Sequence, residues 1–321
     1  MQVKATAAAS GVIPAQPVPT GLRPGARIHR APILHALRLA YGLFKLRIGI
    51  VIGFTALGGV VVTPGPAPAA WRSAILVLAV IGAAAAAGGF NQYVERDLDR
   101  LMSRTRRRPF ATGELPANRS FLWLLGTVLV LSVAAAAWAA NALAAAYVFL
   151  GAFFYGVVYT VWLKRRTWWN IVIGGAAGSF AVLAGAAAVL PEVPAAVPAL
   201  LAAVLFLWTP PHFWSLAITC RDDYTRAGVP MLPVVIGDAR CARVILIHTA
   251  VLVALSLVPL AYGMGWLYAA GALGGGAWFV LASVRLARDP SPANARRNFF
   301  ASLAQLSLLL LAAFAERALL G

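Results

Sequence analysis

Long apolar runs alternate along this chain with short polar clusters, and the length of the runs is informative. About 20 apolar residues cross a bilayer as a helix, and stretches of that kind lie near 47–63, 73–90, 121–139, 142–162, 168–190, 195–217, 243–262, 265–284 and 299–316. They predict about nine transmembrane helices. Several are separated by only a few residues, so neighbours should run antiparallel. No polar block is long enough for a second, soluble domain. The expectation is an all-α, polytopic membrane helical bundle over residues 36–321, preceded by a disordered tail, residues 1–35. The second, fifth and sixth runs are rich in Ala and Gly, including Gly174, Gly175 and Gly178, which lets membrane helices approach closely.

Composition agrees with this picture. The chain has 321 residues, 61% hydrophobic and only 12% charged, against about 25% charged in a soluble domain. A net charge of +17 raises the question of nucleic acid. The basic residues flank apolar runs instead of forming one basic domain, which argues against that partner and for the lipid bilayer. Of 27 Lys and Arg residues, all but Arg72 and Arg317 fall on one side of the predicted spans. The positive-inside rule then places the N-terminus in the cytoplasm and the C-terminus outside. Residues 1–32 lack the apolar core of a secretory signal. Their Arg-rich, acid-poor composition leaves a mitochondrial transit segment open, although a bacterial cytoplasmic (inner) membrane is the preferred location. Cys220 and Cys241 have no metal-binding or disulfide spacing and read as reduced thiols.

The ten acids are the informative minority. Eight lie on the basic side, in two main clusters just beyond apolar runs: Glu95, Asp97 and Asp99 in the first, Asp222 and Asp223 in the second. If the second helix continues past Phe90, then Asn91, Glu95 and Asp99 recur at i, i+4 and i+8 and share one face within about 80°. Such an oxygen row can hold Mg²⁺ that shares its shell with substrate phosphate, or it can be a salt-bridged helix end. A second cluster about 125 residues later on the same side favours metal and diphosphate. The basic run Arg104-Thr105-Arg106-Arg107-Arg108, with Lys164 and Arg165, supplies phosphate-neutralising charge.

At these residues the chain resembles the UbiA superfamily of membrane-embedded prenyltransferases and, within it, the protoheme IX farnesyltransferase (haem O synthase) family. The resemblance rests on three stretches in the family's order. They are Asn91-Gln-Tyr-Val-Glu-Arg-Asp-Leu-Asp-Arg through Pro109; Tyr159-Thr160 through Lys164-Arg165, Thr167, Asn170 and Gly174-Gly175; and Pro210-Pro211-His212-Phe213-Trp214 with Asp223-Tyr224 and the segment Gly228 to Val235. Glu95 stands where the superfamily usually has Asp, and Gln92 where many relatives carry another acid.

The resemblance implies that residues 36–321 form a transmembrane prenyltransferase domain. It implies farnesyl diphosphate as donor, haem B as acceptor, Mg²⁺ as cofactor, and haem O, destined for terminal oxidases, as product. A haem A synthase or an oxidase assembly partner would fit that role. By similarity Asn91, Glu95, Asp99 and Asp223 are the Mg²⁺–diphosphate residues, and Arg96, Arg104, Arg107, Lys164 and Arg165 are on the diphosphate side. His212 is a candidate for haem binding, for proton transfer, or for a structural role. The rings of Tyr93, Tyr155, Tyr159 and Phe213 are candidates for stabilising a cation. The competing readings are a prenyltransferase acting on a quinone precursor or another tetrapyrrole, a membrane transporter, and an oxidase assembly factor.

Overall fold

The computed structural model describes residues 32–192 and 194–319, and among them every regular element is helical. The chain divides into two units, Met1–Arg38 and Leu39–Gly321. Residues 32–35, placed in the tail by the sequence reading, are helical, while the rest of that tail and His29 lie outside the described residues. In order, the helices are α1 (Pro32–Leu43), α2 (Leu46–Val62), α3 (Ala70–Leu101), α4 (Pro109–Thr112), α5 (Arg119–Ala139) and α6 (Ala142–Phe153). A π-helix (Phe154–Leu163) continues α6, and then come α7 (Asn170–Gly174), α8 (Ala176–Val189), α9 (Ala196–Thr219), α10 (Arg221–Arg226) and α11 (Leu232–Ile236). The series ends with α12 (Asp238–Leu257), a 3₁₀ turn (Val258–Tyr262), α13 (Trp266–Arg288) and α14 (Pro292–Leu319).

Eight of these segments are long and apolar enough to cross a membrane, and nine if the broken pair α1–α2 counts as one. The number and placement agree with the hydropathy pattern. Local chemistry fixes several ends. The Asn118 side chain accepts from the Phe121 N–H to cap α5, and Asn141 accepts from the Ala144 N–H to cap α6. Asn141 also donates to the Ala187 carbonyl at 2.7 Å, tying the start of α6 to the end of α8.

Two packing cores organise the helices. One, contributed by α2, α3, α5, α6 and α8, is built from small residues such as Ala56, Ala79, Ala83, Ala136, Ala144 and Ala184. Within it α2 and α8 touch backbone to backbone. A Cβ on Gly59 would overlap the Val182 carbonyl, and one on Gly185 would overlap the Ala56 carbonyl. Between membrane helices there is no water to expel, so this close contact supplies dispersion energy that a larger residue would forfeit. The other core, around α9, α12, α13 and α14, is filled by larger side chains: Leu201, Leu252, Tyr268, Phe279 and Leu309. Large apolar residues such as Leu78, Trp123, Trp138, Trp266 and Trp278 are exposed on the outside, where lipid would lie.

α9 runs unbroken through Pro210 and Pro211. Pro210 and Pro211 have no N–H to give to the Phe206 and Leu207 carbonyls.

Candidate active site

α3 does not stop at the apolar run. It continues for three further turns, and Asn91, Glu95 and Asp99 are each about 2% exposed although the segment reads as polar in sequence. Such groups need partners, and they have them. Lys164 Nζ lies 2.6 Å from the Glu95 carboxylate. Arg108 Nη1 straddles both oxygens of Asp99, at 3.0 and 2.9 Å. Asn91 accepts from Lys45 Nζ at 2.7 Å and donates to Thr160 Oγ at 3.0 Å. Because Thr160 spends its proton on the Tyr155 carbonyl, the Asn91 amide has one consistent orientation.

The opposing wall is the π-helix. Its i+5 register, seen in the bond from Lys164 N–H to the Tyr159 carbonyl at 2.9 Å, aligns Tyr155, Thr160 and Lys164 toward α3. An α-helix would rotate the second and third of these away. Segments of π-helix are rare and concentrate at functional sites. The Tyr155 and Tyr159 rings stack with centroids 5.8 Å apart. Lys45 Nζ donates to the Tyr155 hydroxyl at 2.8 Å, and Lys164 lies over the Tyr159 ring at 5.6 Å.

Lys45 reaches the site from the break between α1 and α2. It is the one described non-glycine residue with positive φ, at 48°, a conformation that costs energy and clusters at functional sites. Its stem packs on bare Gly88, where a Cβ would meet it at 3.5 Å. Gln92 holds the break by donating to the Gly42 and Leu43 carbonyls, both at 2.9 Å. An acid at position 92 would repel those carbonyls, which is a physical reason for the amide.

The second acid cluster joins the first through the loop after α3. Asp223, on α10, accepts from Ser103 Oγ at 2.7 Å and from the Arg104 N–H at 3.3 Å, and pairs with Arg226. Burial pushes the Asp223 carboxyl up. The hydrogen bonds from Ser103, Arg104 and Arg226 outweigh that and hold it below the usual carboxylate range, so it is ionised at neutral pH. Asp222 is exposed. One loop thus supplies Arg108 to Asp99 and Ser103 to Asp223.

The other residues singled out in the sequence divide. Arg104 approaches the Tyr224 hydroxyl at 3.5 Å beside Asp223. Arg96 turns back on its own helix, donating to the Tyr93 carbonyl at 2.8 Å, while Arg107 and Arg165 are exposed. Asp97 pairs with Arg100 on the outer face. Tyr93 packs with Phe110 and Phe121, away from the acid row.

His212 is buried between Trp208 and Phe299, stacked at 4.2 and 4.3 Å. Its Nδ1 is 2.7 Å from Ser302 Oγ, whose own proton goes to the Phe299 carbonyl. Nδ1 therefore carries the proton, and Nε2 keeps its lone pair without a protein partner among the described residues. A polar chain crosses the bundle nearby, from Thr249 through Ser283 and Asn298 to Ser215.

Lys45, Ser103, Arg108 and Thr160 belong to this constellation without individual site roles in the sequence reading, and Tyr155, a candidate there for stabilising a cation, joins them. Arg108 sat inside the basic run that reading noted. Lys45, by contrast, sends no pattern signal, because a helix break brings it in. The cluster carries five basic side chains (Lys45, Arg104, Arg108, Lys164, Arg226) against three carboxylates, a balance suited to a polyanion. Among the described residues no three His, Cys, Asp or Glu side chains close around a metal ion. The oxygen-only set of Asn91, Glu95, Asp99 and Asp223 instead fits a hard cation that takes its remaining ligands from phosphate.

A polytopic helical bundle with paired acidic and basic residues at one end is the architecture of a membrane prenyltransferase, and the chain belongs to the UbiA prenyltransferase family, whose profile matches residues 52–308. It is 55% identical to protoheme IX farnesyltransferase 2 of Paramagnetospirillum magneticum over 89% of this chain and 99% of that protein. It is 41% identical to the protoheme IX farnesyltransferase of Gluconacetobacter diazotrophicus over 87% and 91% of the two chains. Among solved structures, digeranylgeranylglyceryl phosphate synthase aligns with a TM-score of 0.72 at 16% identity, covering 88% of this chain and 99% of that one. A UbiA homologue from Archaeoglobus fulgidus bound to DMAPP and Mg²⁺ aligns at 0.65 and 18%, with the same coverage. At such identities these two likenesses show the fold alone.

Proposed function

We propose that this protein transfers the farnesyl group of farnesyl diphosphate to a vinyl group of haem B, yielding haem O, at the cytoplasmic face of a bacterial inner membrane. The observation that carries the reading is the meeting of the two acid clusters through one basic loop, in a chain more than half identical to a protoheme IX farnesyltransferase. Asn91, Glu95, Asp99 and Asp223 would hold Mg²⁺ against the donor's diphosphate. When bound, the ion would draw charge from the leaving oxygen and so favour ionisation of the allylic C–O bond.

The chain's own residues do the rest. Lys164, Arg108, Arg104 and Lys45 neutralise the phosphate oxygens as charge builds on them. The stacked faces of Tyr155 and Tyr159 lie against the same cluster and can stabilise a developing carbocation. On this reading the isoprenoid would lie among the apolar side chains that adjoin the cluster, which would keep water from the first cation. A haem vinyl group then bonds to the farnesyl carbon, and water captures the resulting cation and gives up a proton. His212, with its Nε2 lone pair directed by Ser302, is the proposed haem-iron ligand or proton acceptor. Arg96, Arg107 and Arg165 are assigned peripheral parts, drawing the anionic donor toward the site.

The test is an assay of the purified protein in detergent with haem B, farnesyl diphosphate and Mg²⁺, with pigments separated and weighed by mass spectrometry. A pigment of haem O mass that fails to form without Mg²⁺ is expected. Prenylation of a quinone precursor with no new haem pigment would overturn the acceptor assignment.

A further inference from the structure

A cavity of about 210 Å³ lies between α13 and α14, lined by Trp278, Ala282, Arg285, Asn294, Arg297 and Phe300. Neither helix contributes a side chain to the cluster around Asn91, Glu95, Asp99 and Asp223. Trp278, Ala282 and Arg285 recur at i, i+4 and i+7 and so form one stripe of α13. Asn294, Arg297 and Phe300 descend α14 in the antiparallel sense. The lining is therefore graded. Trp278 and Phe300, more than half exposed toward lipid, form the deep end. Small Ala282 opens the middle, and Arg285, Arg297 and Asn294 crown the end that carries the basic loops.

The charge there has no protein counterpart. Among the described residues neither Arg285 nor Arg297 is ion-paired, and Arg297 makes only a 3.3 Å bond to the Asn294 side chain. The one acid in the intervening turn, Asp289, is occupied by Ser291 and Asn294 at 3.0 and 2.7 Å. Two arginines at the headgroup level above an aromatic-walled, lipid-facing groove match an amphiphile with an anionic phosphate head and an acyl chain.

We infer that the α13–α14 groove is a binding site for an anionic phospholipid, whose phosphate lies between Arg285 and Arg297 and whose acyl chain runs past Ala282 against Trp278 and Phe300. The inference is independent of the reaction proposed above.

Native mass spectrometry of the full chain in neutral detergent, with equal amounts of phosphatidylglycerol and phosphatidylcholine, tests it. The wild-type protein should retain phosphatidylglycerol preferentially. The Arg285→Gln/Arg297→Gln double variant should bind it roughly 25-fold more weakly, each surface arginine contributing about fivefold. Arg243→Gln, which removes an exposed arginine on α12, should leave the preference intact. Ala282→Trp keeps both arginines and fills the groove, so it should also lose the lipid. Inorganic phosphate at millimolar concentration should not displace it. Equal retention of both lipids, an undiminished preference in the double variant or in Ala282→Trp, or displacement by phosphate would overturn the assignment. The last result would indicate a simple anion site.

Discussion

Replacing Asp99 by Asn separates a structural acid from a working one. In the folded protein a single guanidinium nitrogen of Arg108 is shared between both Asp99 oxygens, with Asp99 3% and Arg108 25% exposed. The amide is nearly isosteric but carries one acceptor and a donor that faces another donor. Because Arg108 is partly open to solvent, the expected stability loss is modest, about 1–2 kcal/mol. For turnover the change is larger, since a full negative charge leaves the set proposed to hold the ion and diphosphate. Loss of one such preorganised electrostatic group costs on the order of 10²–10³ in kcat, about 3–4 kcal/mol. The measurement is initial-rate formation of farnesylated haem at limiting Mg²⁺, alongside thermal unfolding in the same detergent. Asp223→Asn is expected to behave in parallel, since its carboxylate is tied to the same loop. If both variants fold and turn over within about threefold of the parent, the two-cluster mechanism is wrong.

Other expectations follow from the same contacts. Lys164→Met leaves the Glu95 carboxylate buried and unpaired, which should cost about 3 kcal/mol in thermal or denaturant unfolding, whereas Lys164→Arg should retain most of it. Gln92→Glu sets a carboxylate against the Gly42 and Leu43 carbonyls; a loss of about 1–3 kcal/mol is expected, and unaltered melting would remove its assigned role. Gly59→Ala should destabilise by about 1–3 kcal/mol through overlap with Val182. Gly126→Ala, which meets open space, should leave melting unchanged. Ser302→Ala frees the His212 tautomer, so a rate loss with normal melting in the haem assay would mark His212 as functional; unchanged kinetics would make the pair structural.

The helices could be read from the sequence because hydrophobic periodicity and length report directly on a bilayer. The run near 168–190 matches a span at Asn170–Val189 although α7 and α8 divide it, since its composition is continuous. The acid row could be read too, because four-residue spacing on a continuing helix is a local property. Lys45 could not. It is brought to Asn91 by a backbone break and a positive φ, and no periodic signal announces either. Neither could the contact of Thr160 with Asn91, because α-helical spacing turns Thr160 away from Tyr155 and Lys164 and only the π register brings it to α3. Among the four arginines of the 104–108 run, the sequence offered no way to choose Arg108 over Arg107, since the choice depends on how the 102–108 loop folds back over Asp99.

These features share a physical consequence. Each acid of the cluster, and the Asn91 amide, is matched by a basic side chain from outside the long α-helices: Lys164 from the π-helix end, Arg108 from the loop, Arg226 from the short helix α10, and Lys45 from the helix break. An acid row alone would repel a diphosphate, and a basic patch alone would bind any anion. Interleaving the two lets an incoming anion draw the cations toward its oxygens and uncover the carboxylates for a divalent ion. On the proposed function, donor and metal should therefore bind with positive coupling. Isothermal titration of Mg²⁺ with and without inorganic diphosphate measures that coupling directly. Equal Mg²⁺ affinity in both would show that the carboxylates stay engaged with their basic partners, and the exchange would have to be abandoned.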